Sequence, residues 1–353
     1  MHMADALVSP AVGATFWAIS GGTIIYSSRK LKEEGDEKRI PLMGVLGAFV
    51  FAAQMINFTI PGTGSSGHLG GGMILAVLLG PYAGFLTLAS VLVIQALFFG
   101  DGGLLALGCN MFNMGVWTCF VAYPLIYRRM VKTDSSPGRI TVVSVISVLV
   151  ALQLGPFSVV VQTLLSGISE LPFKSFVLLM QPIHLAIGLV EGLVTAGFIV
   201  FVGKARPEIL ESAAASRPLA KISIQKILIG LAVATLLTGG IVSWFASARP
   251  DGLEWAIEKI YGKSELPEPT EGIVPVLGAA QEKTAILPDY GFKAEEPVSA
   301  DSTGTGEGGE EEAWPSVSSG TTVAGIVGAT MTLGLAVVVG LVLKRRGRGA
   351  SGA

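Results

Sequence analysis

Charge is scarce in this chain. Only 14% of its 353 residues are Asp, Glu, Lys or Arg, against 51% hydrophobic, and the mean hydropathy is +0.64. So little charge does not suit a soluble domain of this length, and apolar runs about as long as a hydrocarbon core is thick recur along most of it. Cysteine is nearly absent. Cys109 and Cys119 fall inside one apolar run and lack the spacing of a zinc or redox pair. No basic residue precedes the first apolar run, so the start does not read as a cleaved signal peptide. No phosphate-binding loop ending in Gly-Lys-Ser/Thr occurs, so any nucleotide hydrolysis is expected from other subunits. Histidine is limited to His2, His68 and His184. What remains is an all-α polytopic membrane protein in which a few polar residues carry the chemistry.

Spans are expected at about 12–28, 41–57, 70–80, 82–100, 104–127, 140–165, 178–203, 226–246 and 322–343. The third is short, and Gly80-Pro81 breaks it from the fourth. Basic residues sort by side. One set of loops holds Arg29 to Arg39, Arg128 to Arg139, Lys204 to Lys226 and Lys344 to Arg348. The opposite loops hold Lys174 and a long, acidic 247–321 stretch. By the positive-inside rule the first set is cytoplasmic. The N-terminus is then outside, the C-terminus inside, and the span count odd. A continuous helix over 70–100 would reverse every later loop, so the charges also favour the break at Gly80-Pro81. The expected organisation is a seven-helix unit over 1–203, a cytoplasmic linker over 204–225 and a two-helix hairpin over 226–353. Within the hairpin's loop, Ser302 to Glu312 reads as disordered low-complexity sequence.

The start, Met1-His2-Met3, puts an imidazole one residue from an α-amine. The amine and the His2 backbone nitrogen close a five-membered ring on a metal, and that nitrogen with Nδ1 closes a six-membered one. Three in-plane nitrogens suit Ni(II) or Cu(II). Asn57 to Gly72 form a glycine-rich loop on the same side as the terminus, and His68 within it supplies a natural fourth nitrogen. The blander alternative is a frayed terminus beside an ordinary turn. Within the loop, Gly64-Ser65-Ser66-Gly67 also matches the short pattern of intramembrane serine proteases, with Ser66 as nucleophile and His184 as base. That reading leaves the adjacent His68 unexplained.

Polar residues inside spans are costly and so are candidates by default. Asn110 and Asn113 share one helix face, and His184 and Glu191, seven apart, share another. With Gln95, and with Asn57 and Ser66 of the loop, they are expected to form a polar layer under the metal site; interhelical hydrogen bonding is the alternative. Small residues recur as Gly44, Ala48, Ala52 and as Gly188, Gly192, Ala196. Either stripe allows close helix packing, and the first is the candidate face for a partner subunit.

Several of these stretches together resemble the substrate-binding membrane component of cobalt/nickel energy-coupling factor transporters. They are Met-His-Met-Ala-Asp-Ala-Leu, Gln54-Met55-Ile56-Asn57-Phe58, Ser66 to Gly72, Leu79-Gly80-Pro81, Phe99 to Gly103 and Asn110 to Gly115. The resemblance covers about residues 1–203. It implies metal ligation by the Met1 amine, the His2 backbone and imidazole nitrogens and the His68 imidazole. His184 and Glu191 fall in a matching His-x-x-Ile-Gly-x-x-Glu stretch whose role it leaves open. Arg249 to Ala256, with its Pro-Asp-Gly-Leu-Glu core, is similar to the small accessory component of the same systems, here fused behind the first; its 265–321 stretch is longer and more acidic than that resemblance requires. The resemblance further implies a coupling transmembrane subunit and cytoplasmic ATPases as partners, a prokaryotic cell membrane as location, and no permanent cofactor. Ni²⁺ or Co²⁺ is the cargo. Planar nitrogen ligation favours nickel. A metal sensor that does not transport is the remaining alternative.

Overall fold

The structure is a computed structural model and describes residues 2–34, 36, 39–132, 134–215, 224–293 and 315–348, with side chains to Lys344 in the last segment. The chain is mainly helical. Helices α1 (Pro10–Glu34) and α2 (Arg39–Gln54) are followed by a short antiparallel pair, β1 (Phe58–Thr59) and β2 (Ser66–Gly67). Next come α3 (Gly72–Leu79) and α4 (Pro81–Ile94), the latter extended by a wide turn to Phe99. Helix α5 (Leu107–Met111) runs into a wide-wound stretch, Phe112–Tyr127, and then the single turn α6 (Arg128–Met130). Helices α7 (Pro137–Ser166), α8 (Phe173–Ala205) and α9 (Pro207–Ala215) complete the first part. The second part contains α10 (Gln225–Gly240), α11 (Gly252–Tyr261), α12 (Val274–Thr284) and α13 (Ser319–Arg348).

Four of the described helices are long and apolar enough to cross a membrane: Pro81–Phe99, Pro137–Ser166, Phe173–Ala205 and Ser319–Lys344. Arg39–Gln54 and Gln225–Gly240 are shorter apolar helices. Large apolar side chains point outward along α8, among them Leu178, Leu185, Leu189 and Phe201. An exposed apolar stripe of this kind suits lipid rather than water.

The break at Gly80-Pro81 has a local cause. Gly80 has φ 81° and its N–H caps the Ala76 carbonyl, while Pro81 opens α4 at a position that needs no N–H. Gly84 then lets α4 approach α3 closely, since a Cβ there would lie 2.9 Å from Ala76 N. The stretch holding Pro124 is wound more loosely than an α-helix, with i→i+5 turns.

Small residues form the seams between helices. Gly192 abuts Val145 of α7, and Gly239 of α10 meets Gly325 of α13. The Gly44, Ala48, Ala52 stripe is not an open face. A Cβ on Gly44 would lie 2.8 Å from Val337 of α13, and Ala48 clusters with Ala324 and Ala329. The expectation of a face free for a partner subunit is therefore corrected: α13 of the same chain covers it. Residues 216–223 of the expected linker and the acidic stretch Ser302 to Glu312 lie outside the described residues.

Candidate metal centre

Three segments distant in sequence converge at one end of the bundle: the residues ahead of α1, the glycine-rich loop after α2, and the Arg249 to Glu254 motif that opens α11. Each is anchored before any histidine is considered.

The N-terminal segment is fastened through its backbone. Met3 N donates to Asn110 Oδ1 at 2.8 Å, and Asn110 Nδ2 donates back to the Met3 carbonyl at 3.2 Å. Gly103 N donates to the same carbonyl at 2.9 Å. Asp5 Oδ1 accepts from Ala106 N at 2.9 Å. Gly103 permits this approach, because a Cβ there would fall 1.8 Å from Asp5 Oδ1. The Met3 side chain is fully buried, with its sulfur 3.5 Å from Asn113 Nδ2. Asn113 exchanges amide hydrogen bonds of 2.7 and 2.9 Å with Gln162.

The His68 loop is fastened from the other side. Glu191 Oε2 and Oε1 accept the Gly70 and Gly71 amides at 2.9 and 3.0 Å. Gln54 Nε2 donates to the Gly70 carbonyl at 2.8 Å and is itself fixed by Gln95. Gly71 sits at φ 70° with its α-carbon against Val50, a position closed to other residues. Of the polar residues expected beneath the site, Asn110 and Glu191 hydrogen-bond the backbones that carry His2 and His68. Asn57 contributes its carbonyl to Ser247 N at 2.8 Å.

This fastening brings two imidazoles together. The His2 and His68 rings stack with centroids 5.3 Å apart and planes 5° apart. Each ring faces a carboxylate. His2 Nδ1 is 3.0 Å from Asp101 Oδ1, and His68 Nε2 is 3.9 Å from Asp251 Oδ2. His2 Nε2 is buried without a hydrogen-bond partner. The expected chelate uses His2 Nδ1, whereas here that atom turns to Asp101, whose carboxylate takes the nearest imidazole nitrogen. A half-turn of the ring about Cβ–Cγ exchanges the two edges. Met1 lies outside the described residues. Among the described residues no three His, Cys, Asp or Glu side chains form a metal cluster; the expected centre takes two of its nitrogens from the main chain and needs only two imidazoles.

Electrostatics keep the imidazole at His68 available. Burial pushes its pKa down to about 3, so at neutral pH it is uncharged. Burial alone would raise Asp101, but the His2 imidazole beside it and hydrogen bonds from His2 and Tyr290 hold it below the usual carboxylate range. Asp251 is likewise held down against burial by nearby positive charge and by backbone N–H groups. These two carboxylates, both histidines and Glu254 line one open cavity of about 630 Å³.

Asp251 is placed by helix chemistry. It caps α11, accepting from Leu253 N at 2.7 Å and Glu254 N at 2.9 Å, while Glu254 Oε2 accepts from Asp251 N at 2.9 Å. This reciprocal capping box explains Asp and Glu three apart in the motif. Gly252 between them lies flat on His184, whose Nδ1 is 2.8 Å from the Met180 carbonyl. Ser66 Oγ donates to the Arg249 carbonyl at 2.7 Å, and Ser66 N to the Pro250 carbonyl at 2.8 Å. No hydrogen bond joins Ser66 to His184; both serve to dock the motif. Asp101 and Asp251 were missed as site residues in the sequence. Their signals were Asp101 between glycines of positive φ, 70° at Gly100 and 82° at Gly102, and the Asp-x-x-Glu cap.

Two family descriptions match successive parts of the chain. The family described as the cobalt uptake substrate-specific transmembrane region matches residues 2–209, and the PDGLE domain matches residues 225–345. A protein of Archaeoglobus fulgidus, provisionally named a fused nickel transport protein, is 31% identical over 337 residues, covering 95% of this chain and 96% of that one. A fused nickel transport protein of Rhodobacter capsulatus is 32% identical over 223 residues, 60% of this chain and 64% of its own. Among solved structures, a truncated transition metal transporter is similar at 30% identity and a TM-score of 0.51, over 58% of this chain and 99% of that one.

Proposed function

Because this chain belongs to the cobalt uptake substrate-specific transmembrane family, joined to a PDGLE domain, we propose that it is the metal-capturing subunit of a nickel or cobalt importer. The ion binds at the end of the bundle where His2 and His68 meet, through four nitrogens: the Met1 amine, the His2 backbone and imidazole nitrogens, and the His68 imidazole. The observation that carries this reading is the parallel pairing of the two imidazoles at 5.3 Å, on two backbones that Asn110 and Glu191 hold in place.

In this reading the site faces outward and the basic loops lie in the cytoplasm of a prokaryotic cell, with seven helices in residues 1–203 and two beyond the linker. A coupling transmembrane subunit and cytoplasmic ATPases supply the driving force, and this chain hydrolyses nothing. The ion is cargo, and no permanent cofactor is required. A planar four-nitrogen set favours Ni(II) over Co(II), in keeping with the nickel transport names of the two relatives.

The test is metal titration of the purified full chain with an untagged N-terminus. A planar Ni(II) absorption band that disappears in His68→Ala supports the site; its absence in the unaltered protein overturns it. Uptake by vesicles carrying the whole complex separates an importer from a sensor, which would bind tightly and transport nothing.

A further inference from the structure

The end of the bundle remote from the two histidines carries a cavity that the metal reading does not use. Helix α5 and the wide-wound stretch behind it run without a break from Asn110, which holds Met3, to Tyr127. Where that stretch ends, a cavity of about 270 Å³ opens between α6, the start of α7, the end of α8 and α9. Its wall is of two kinds. Val77, Ile140, Val200 and Leu210 make part of it apolar, while Arg128, Lys132 and Lys204 stand exposed at its rim with a single carboxylate, Glu211.

The polar side of this wall is without partners. Among the described residues none of the three cations forms an ion pair, with Glu211 or any other group. Tyr123 and Tyr127 also line the cavity, and their rings stack with centroids 6.0 Å apart and planes 19° apart. Tyr123 is 2% exposed and Tyr127 6%, yet neither hydroxyl has a hydrogen-bond partner among the described residues. A buried phenol ordinarily finds one. The surrounding frame is fixed. Val131 N donates to the Tyr127 carbonyl at 2.8 Å, Lys132 N to Ser135 Oγ at 2.8 Å, and Arg139 Nε to the Met130 carbonyl at 2.7 Å. Gly203 lets α9 close the far side, since a Cβ there would lie 3.0 Å from Leu210 Cδ1.

Two phenol donors beside three unpaired cations call for an anion with several acceptor oxygens, and phosphate has that chemistry. The apolar part of the wall calls for more than the anion. Leu125, Met130 and Phe201, on the same elements, are exposed apolar side chains of the lipid-facing kind. We propose that this cavity binds the phosphate headgroup of an anionic phospholipid. Tyr123 and Tyr127 donate to its oxygens, Arg128, Lys132 and Lys204 balance its charge, and its chains follow the apolar wall into the bilayer. A free phosphate compound would satisfy the donors and leave that wall uncovered. In the orientation proposed above this end meets the cytoplasmic leaflet, whose surface is negative and whose anionic headgroups seat in basic pockets between helices. The inference uses neither His2 nor His68, so it stands or falls apart from the metal reading.

The experiment is native mass spectrometry of the purified full chain, titrated with phosphatidylglycerol, phosphatidylcholine or inorganic phosphate. A single phosphatidylglycerol is expected to bind in preference to phosphatidylcholine and to resist displacement by inorganic phosphate. Arg128→Gln and Lys204→Gln should each weaken its binding about fivefold. Tyr127→Phe keeps the stack, removes only the hydroxyl and should weaken binding severalfold. Arg129→Gln removes the same charge beside the cavity rather than in its wall, and should leave binding unchanged. Equal binding of the two lipids overturns the proposal, as does a loss in Arg129→Gln equal to that in Arg128→Gln, which would mark general surface attraction. Displacement by inorganic phosphate overturns the lipid assignment and gives the cavity to a free phosphate compound. Lipid binding unaltered in both Arg128→Gln and Tyr127→Phe also overturns it, and leaves the cations to a protein partner.

Discussion

Glu191 Oε1 accepts the Gly71 amide at 3.0 Å from 120 residues further along the chain. With the Gly70 contact it makes one buried carboxylate the clasp of the His68 loop. The acceptor geometry fits a carboxylate and no other common side chain: two backbone donors converge on two oxygens. Glu191→Gln offers one oxygen and turns an amide donor towards the second N–H. Leaving a buried donor unsatisfied costs about 1–3 kcal/mol. Thermal unfolding in detergent should show that loss, and Ni(II) affinity should fall severalfold as the loop loosens. A lower melting temperature with unchanged affinity would confine Glu191 to structural support.

Asn110 performs the matching task for the N-terminal segment, through both the N–H and the carbonyl of Met3. Asn110→Ala should weaken metal binding about tenfold, the equivalent of about 1.4 kcal/mol, because the segment that presents His2 loses both side-chain contacts. Asn113 touches only the Met3 sulfur and is already paired with Gln162, so Asn113→Ala should affect stability more than affinity. Equal affinity losses in the two variants, measured by titration, would show that the terminus is held elsewhere.

The contrast between these residues shows what the sequence discloses. The two histidines and the polar residues beneath them stand out by chemistry alone, since polar groups are rare in apolar spans. The charge pattern puts Met1, His2 and His68 on one side, and in the fold the His2 and His68 rings stack on each other. The partners of those histidines did not stand out. Asp101 and Asp251 sit in loops, where acidic residues are ordinary, and only the fold aims them at imidazoles. The Gly44, Ala48, Ala52 stripe gave the opposite lesson: small-residue spacing announces close packing without naming the neighbour, and the neighbour is α13.

Acidity should destabilise the metal-free protein through His68. Its imidazole stays neutral in the folded state down to a pKa of about 3, whereas the unfolded side chain takes up its proton near the ordinary value of about 6.5. Between those values the unfolded state binds more protons, so stability falls as pH falls from about 6.5 towards 3. Over the accessible range, from pH 6.5 to 5.5, the loss is up to about 1.4 kcal/mol. Melting temperatures of the metal-free chain should therefore drop across this range, and His68→Gln, which has nothing to protonate, should show a shallower slope. Parallel slopes would assign the acid sensitivity to other groups.

Asp251 combines two tasks that substitution can separate. As the cap of α11 it accepts from two backbone amides through Oδ1, and through Oδ2 it lies 3.9 Å from His68. Asparagine caps a helix about as well as aspartate, and alanine does not. Asp251→Asn should therefore keep α11 and the docking of the Arg249 and Pro250 carbonyls on Ser66, while removing the negative charge beside the proposed metal site. Asp251→Ala should lose both, at about 1 kcal/mol of additional stability. If the carboxylate assists capture of a dication, both variants weaken Ni(II) binding to a similar degree, and the weakening is smaller at high salt, where screening already reduces the attraction in the open cavity. If the motif matters only as a helix start, Asp251→Asn binds metal normally and Asp251→Ala alone is impaired. Titrating both variants at two ionic strengths decides between a charge that meets the ion and a cap that holds the helix.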